Sequence, residues 1–307
     1  MPVKVAEEWF AICGGCEVTI LDIGEPILDL LPNLEFVHIP VLMDHKYYGQ
    51  TGEKTELEIP EADIGIISGS VRTEEHKLLL KEMRDKVKTL IAIGSCACYG
   101  GVPALGNMYV TDSIYDKVYR ETKGTDPSET PSDYVPKLTD SVQALDELVK
   151  VDVYLPGCPT TPEMVRDALT ALLEGKPFEL SEKSVCDDCP VIREKKSMVQ
   201  LKRPLEPIDG VGEPIEKVRC ILEQGYLCVG PVTKSGCGGD TKVPRCVRAY
   251  MPCRGCFGPI RKTANPMVDM VGALSSIGLS ARGIVDRRAT LNRFAGGQKR
   301  LRPLPGR

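Results

Sequence analysis

Long apolar runs are missing from these 307 residues, and histidines and aromatic side chains are scarce. No stretch reaches the roughly 18 residues that a membrane-spanning helix needs, so no membrane span is expected. Aromatics make up 5% of the chain, too few for base-stacking platforms, and a formal net charge of −4 offers no basic footprint for nucleic acid. The opening Met-Pro-Val-Lys leads almost directly into a strand-like segment, without the basic and then apolar regions of a secretory signal. A cytoplasmic location is therefore expected. The three histidines are His38, His45 and His76. His38 and His45 read as structural or surface residues rather than ligands.

Cysteine is what the chain has in excess, with 13 residues. A reducing cytoplasm disfavours structural disulfides, and an odd total does not pair completely. Clustered cysteines in this setting point to metal binding or redox chemistry.

Strand and helix patterns alternate through the first 175 or so residues. Residues 3–12, 34–41, 63–68, 89–94 and 151–155 read as strands. Residues 17–31, 74–88, 140–149 and 162–173 read as helices, with Thr73 as an N-cap and Gly175 as a stop. This alternation predicts an α/β fold with a doubly wound parallel sheet. Residues 120–137 are polar and contain Pro127, Pro131 and Pro136, which predicts an exposed insertion. Beyond about residue 176 the periodicity fades into Gly-, Pro- and Cys-rich sequence. A small irregular domain of that kind needs another scaffold, and metal centres supply one.

The cysteines sort against this map. Cys13 and Cys16 follow the first strand, Cys96 and Cys98 the fourth, and Cys158 the fifth. In a parallel sheet the carboxyl ends of strands share one edge, where ligands bind. Four thiolates from three such loops make a [4Fe–4S] site, and either Cys96 or Cys98 is the spare thiol. The other eight divide in chain order into Cys186, Cys189, Cys220 and Cys228, and Cys237, Cys246, Cys253 and Cys256. Spacing alone leaves a zinc-stabilised binding module with a redox dithiol open as the alternative. Cys189 and Cys253 are 64 positions apart, which is long for a zinc ribbon and favours iron–sulfur ligation.

Three further features carry two readings each. Glu17 beside Cys16 is either a carboxylate placed at a helix N-terminus or an aid to proton or cluster chemistry. After Asp286 there are seven basic residues and no acidic one. That tail is either a dock for an acidic partner face or a solvated, partly mobile end. The 120–137 insertion fits a subunit contact or a free loop.

Taken together, Cys-Gly-Gly-Cys (Cys13–Cys16), Gly-Ser-Cys-Ala-x2-Gly-Gly (Gly94–Gly101), Pro-Gly-Cys-Pro (Pro156–Pro159) and Pro-Cys-Arg-Gly-Cys-Phe-Gly-Pro (Pro252–Pro259) resemble the cluster motifs of [NiFe]-hydrogenase small subunits. The resemblance runs from about residue 9 to residue 260. It implies a flavodoxin-like domain, residues 1–178, whose Cys13, Cys16, Cys96 and Cys158 hold a proximal cluster. It also implies a C-terminal iron–sulfur domain, residues 179–307. There Cys237, Cys246, Cys253 and Cys256 would hold a medial cluster, and Cys186, Cys189, Cys220 and Cys228 a distal one. Cys96 is preferred to Cys98 because it occupies the motif position.

Many relatives have a histidine where Cys186 stands, and many lack the fourth medial cysteine that Cys246 supplies. Three [4Fe–4S] clusters are therefore expected, with potentials lowered by the added thiolate charge. These departures resemble the cytoplasmic branch, most of all the gamma subunits of archaeal methyl-viologen-reducing (F420-non-reducing) hydrogenases. Deazaflavin-reducing hydrogenases are the runner-up. The resemblance places the nickel–iron centre on a separate large subunit. It makes the acceptor a small iron–sulfur or flavin partner such as a heterodisulfide reductase. Relatives in respiratory complex I resemble only the N-terminal half.

Overall fold

A computed structural model of the chain describes residues 2–43, 46–49, 51–124, 126–194, 200–202 and 206–304; His45 lies outside the described residues. Among them the strands are β1 (Val3–Trp9), β2 (Leu34–His38), β3 (Ala62–Ser68), β4 (Val71–Thr73), β5 (Val87–Ile93), β6 (Leu138–Gln143) and β7 (Val153–Leu155). The helices are α1 (Gly15–Leu21), α2 (Ile27–Leu30), α3 (Glu74–Lys86), α4 (Gly94–Tyr99), α5 (Thr111–Asp116), α6 (Pro162–Leu173), α7 (Val185–Asp188), α8 (Arg245–Arg248), α9 (Pro266–Ser276) and α10 (Arg287–Leu291).

Five strands form one parallel sheet in the order β2-β1-β3-β5-β7. Numbered among themselves they run 2-1-3-4-5, the flavodoxin-like order, with its ligand crevice at the carboxyl edge. The central strands are apolar on both faces because both faces are covered. Val5, Ile64, Ile66, Ile91 and Ile93 pack with Met164, Val165, Ala168 and Leu169 of α6. Ala6, Ile67, Leu90 and Ala92 pack with Leu79, Leu80 and Met83 of α3. Thr73 caps α3 as its position predicts: its hydroxyl accepts from the His76 amide at 3.1 Å. Thr161 does the same for α6, receiving the Met164 amide at 3.3 Å.

Two expected helices differ. The helix over residues 17–31 is split into α1 and α2. Gly24 between them adopts a left-handed φ of 72°, and Pro26 has no amide with which to continue α1. Residues 140–149 do not form one helix: β6 runs to Gln143, and only a short 3-10 turn, Leu145–Glu147, follows. β6 pairs antiparallel with β4, and Asn107 clamps it on both sides, donating to the Val142 carbonyl at 2.9 Å and accepting its amide at 2.7 Å. Strand pairing overrides the local helical spacing there. The insertion at 120–137 is exposed, as expected, but leads into β6 instead of a helix.

The C-terminal part holds one helix that periodicity did not reveal, α9, opened by Asn265, whose side chain accepts the Met267 and Val268 amides at 3.1 and 3.3 Å. The described part of the basic tail is not a solvated end. Ala295 bridges Gly101, and the Gly297 amide donates to the Tyr99 carbonyl at 2.9 Å. The Gln298 amide donates to Glu147 at 2.7 Å. The Arg300 guanidinium is spent on the carbonyls of Ala264 and Lys262 and on the Gln298 side chain.

Leu80 is fully buried between α3 and the sheet, whereas Leu78 is 60% exposed. Leu80→Ala is expected to cost about 2–5 kcal/mol in denaturant unfolding. Leu78→Ala should stay within about 0.5 kcal/mol of the parent. Equal effects would place the core elsewhere.

Candidate iron–sulfur centres

The loops after β1, β5 and β7 meet at the carboxyl edge of the sheet. Cys13 and Cys16 flank a left-handed Gly14 that opens α1, Cys96 sits in α4, and Cys158 follows β7. Glycine makes their approach possible. A Cβ on Gly94 would lie 2.4 Å from the Cys16 sulfur, and one on Gly101 would lie 2.5 Å from that of Cys96. Burial first, and then the neighbouring cysteines and Glu17, push the Cys16 and Cys96 thiols up to about 12. Burial and Cys13 push Cys158 up as well. Cys13, Cys16, Cys96 and Cys158 thus form one electrostatically connected group. Cys98 lies in the core, fully buried, with its thiol 3.4 Å from the Ala92 carbonyl; burial pushes it up, and Cys16 and Cys96 add to it.

Cys186, Cys189, Cys220 and Cys228 form a second group. Cys186 and Cys228 sulfurs both lie beside Gly230, 3.2 and 3.6 Å from where its Cβ would be. Burial pushes both thiols up to about 12, with the other members adding to it. Cys237, Cys246, Cys253 and Cys256 line a cavity of about 170 Å³, and Cys158 of the sheet-edge group lines it too. Burial, Cys246, Cys237 and Cys158 push Cys256 up to about 12, opposed by a hydrogen bond from the Cys158 backbone. On the other side the Cys253 amide donates to the Cys228 sulfur at 3.3 Å. The cavity group therefore adjoins the sheet edge at Cys158 and the second group at Cys228.

These residues fit iron–sulfur clusters. Buried, crowded thiols resist ionisation on their own. A multivalent cationic centre reverses that preference and deprotonates its ligands outright. Backbone N–H groups aimed at sulfur, such as that of Cys253, are the donors that cluster thiolates use. Among the described residues, no three His, Cys, Asp or Glu side chains close on a point that one metal ion would fill. In the third group the cysteines instead line the cavity of about 170 Å³.

Several acidic residues near this edge are buried, and of them the sequence singled out Glu17 but neither Glu7 nor Glu8. Glu17 is buried, and among the described residues neither of its carboxylate oxygens has a hydrogen-bond partner. Glu8 is buried against His38, 2.5 Å from its Nε2, and accepts the Tyr47 hydroxyl at 3.1 Å. His38 is thus an interior residue, as one of its two expected roles required. Glu7 accepts the Trp9 indole at 3.1 Å. The available signal was a pair of carboxylates inside an otherwise apolar strand. Ser95 went unremarked as well, although it is almost fully buried beside Cys96.

Comparison with known proteins extends the geometry. The family model described as NADH ubiquinone oxidoreductase, 20 Kd subunit, matches residues 13–172, from the first sheet-edge cysteine past the last. A vhu-type F420-non-reducing hydrogenase subunit of Methanocaldococcus jannaschii is 38% identical over 295 residues, covering 96% of this chain and 95% of that one. The corresponding vhu subunit of Methanococcus voltae is 40% identical, covering 92% and 91%. The chain belongs to the [NiFe]-hydrogenase small-subunit family. Its likeness to the F420-non-reducing members extends through both halves, whereas the 20 Kd model stops within the first. Among solved structures, a chain of an NAD+-reducing [NiFe]-hydrogenase in the H2-reduced state superposes with a TM-score of 0.53 at 32% identity. That match covers 58% of this chain and 96% of that one.

Burial pushes the Glu7 carboxyl from 4.5 up to about 7, and Glu17 and Glu8 add to it. A folded value above the unfolded one means that the native state binds the extra proton. Its stabilising contribution is full below about pH 4.5 and is lost as the pH rises to about 7. Glu7→Gln removes this dependence. The variant should gain stability relative to the parent between pH 5 and pH 8 in thermal unfolding. Parallel pH profiles would show that Glu7 does not titrate there.

Proposed function

We propose that this small subunit relays electrons between a [NiFe]-hydrogenase large subunit, which carries the nickel–iron centre, and an iron–sulfur or flavin acceptor. Its proximal ligands are Cys13, Cys16, Cys96 and Cys158. Its medial ligands are Cys237, Cys246, Cys253 and Cys256, and its distal ligands Cys186, Cys189, Cys220 and Cys228. The observation that carries the reading is the adjacency of the three four-cysteine groups, at Cys158 and Cys256 and again at Cys253 and Cys228. Each bound [4Fe–4S] cluster supplies a one-electron carrier. The chain's own residues hold the thiolates apart, exclude water from them by burial, and direct backbone amides at the sulfurs.

Val18, Leu21, Leu28 and Leu31 are exposed apolar side chains on and just after α1, the helix that begins at the proximal loop. They supply a surface for the large subunit at the end where electrons enter. The acceptor then meets the distal end, and a heterodisulfide reductase complex is the class that the family resemblance implies. We place the protein in the cytoplasm, where unpaired cysteines persist. We divide the chain into residues 1–178, which carry the proximal site, and 179–307, which carry the other two. Among the described residues, no helix is long and apolar enough to cross a membrane.

Cys96 and Cys98 are two residues apart and have opposite expected effects. The parent complex should hold about twelve irons on this chain. Cys98→Ala should keep them, because its thiol fills core space. Cys96→Ala should lose about four, or retain an altered proximal cluster by electron paramagnetic resonance. Zinc in place of iron, without copurifying nickel, would overturn the assignment.

A further inference from the structure

The sheet-edge and cavity groups are bridged by a side chain that ligates nothing. Ser95 is 1% exposed and stands next to Cys96. Its hydroxyl oxygen accepts the amide of Gly157, the neighbour of Cys158, at 3.1 Å. Its proton goes to the carbonyl of Cys256. Its own amide returns to the Gly157 carbonyl at 2.7 Å. One hydroxyl thereby ties three cysteine segments, two from the sheet edge and one from the cavity, across sequence separations of 62 and 161 residues.

Ser95 is the second residue of α4 and has no preceding helical turn to bond to; its hydroxyl bonds to two segments distant in sequence. The gap on the far side of the cavity is closed in a comparable way, by the Cys253 amide on the Cys228 sulfur at 3.3 Å.

We propose that Ser95 is a positioning residue for electron transfer, fixing the gap between the proximal and medial sites through its hydroxyl. This rests on the ligand assignment above. In the step concerned, one electron passes from a reduced proximal centre to an oxidised medial one. No bond is made or broken, and the hydroxyl proton stays on Ser95. Removing the hydroxyl takes a partner from the buried Gly157 N–H and from the part-buried Cys256 carbonyl, which loosens the hold between the segments. One hydrogen bond of ordinary strength corresponds to at most about a tenfold change in the ratio of closed to open gap.

The test uses the whole hydrogenase complex carrying Ser95→Ala or Ser95→Thr. Iron content, the magnetic interaction between the reduced proximal and medial clusters, and the rate at which H2-derived electrons reach the medial cluster are measured on each. Ser95→Ala should keep the parent's iron and its H2-reducible proximal cluster. Its inter-cluster interaction should weaken, and electron arrival should slow, by at most about tenfold. Ser95→Thr, which keeps a hydroxyl, should restore both. An alanine variant that matches the parent in interaction and rate overturns the proposal. So does one that loses iron which threonine does not restore, since Ser95 is then a folding residue. A parent complex without iron on this chain would instead overturn the ligand assignment, and the proposal with it.

Discussion

Crowded, buried sulfur is unfavourable until positive charge sits among it, and much of this molecule depends on that imbalance. Cys16, Cys96, Cys186, Cys228 and Cys256 are each pushed up to about 12, in every case by burial first. The sheet-edge group has an independent frame, because the parallel sheet and its two helical layers assemble from ordinary apolar packing. The C-terminal part has much less of that. Apart from α9 it is built from short helical turns and coil, with Cys220, Cys228, Cys237 and Cys253 among its core side chains. Binding energy at those sites is folding energy as well, so the second half should depend more on its clusters than the first.

The sheet also explains why ligands far apart in the chain meet. Parallel strands place their carboxyl ends on one edge, so three loops separated by more than 140 residues in all need no special route to converge. Close packing there requires backbone without side chains, which Gly94 and Gly101 supply at positive φ. An alanine at either position would meet a ligand sulfur and adopt a strained backbone together. The glycines flanking these cysteines are therefore part of the site's geometry.

Much of this was legible in the sequence for physical reasons. Ile64–Ile67 in β3 and Leu90–Ile93 in β5 are apolar runs because both faces are covered. Thr73 is a cap because a hydroxyl before a helical run has one good use. The first three cysteine motifs stand out because each follows a strand. What escaped depends on partners distant in sequence. β6 is a strand because β4 and Asn107 hold it, and neither lies within its local window. The buried tail has no local signature, since Gln298 reaches back 151 residues to Glu147. The break after α1 was different. Gly24 and Pro26 were visible, and helical spacing across them outweighed their breaking effect in the reading of residues 17–31.

The tail and Ser95 converge on the same short segment. The Tyr99 carbonyl receives Gly297, and Gly101 pairs with Ala295. Cys96 therefore sits on a loop pinned from the C-terminus at Tyr99–Gly101 and from the cavity group at Ser95. A ligand loop held from both sides has little freedom to move its sulfur. That restraint matters for a relay, because the distance between neighbouring centres is what the protein controls. The C-terminal part thus does more than carry eight further cysteines. By packing against the segment after β5 it helps set where Cys96 stands relative to Cys256.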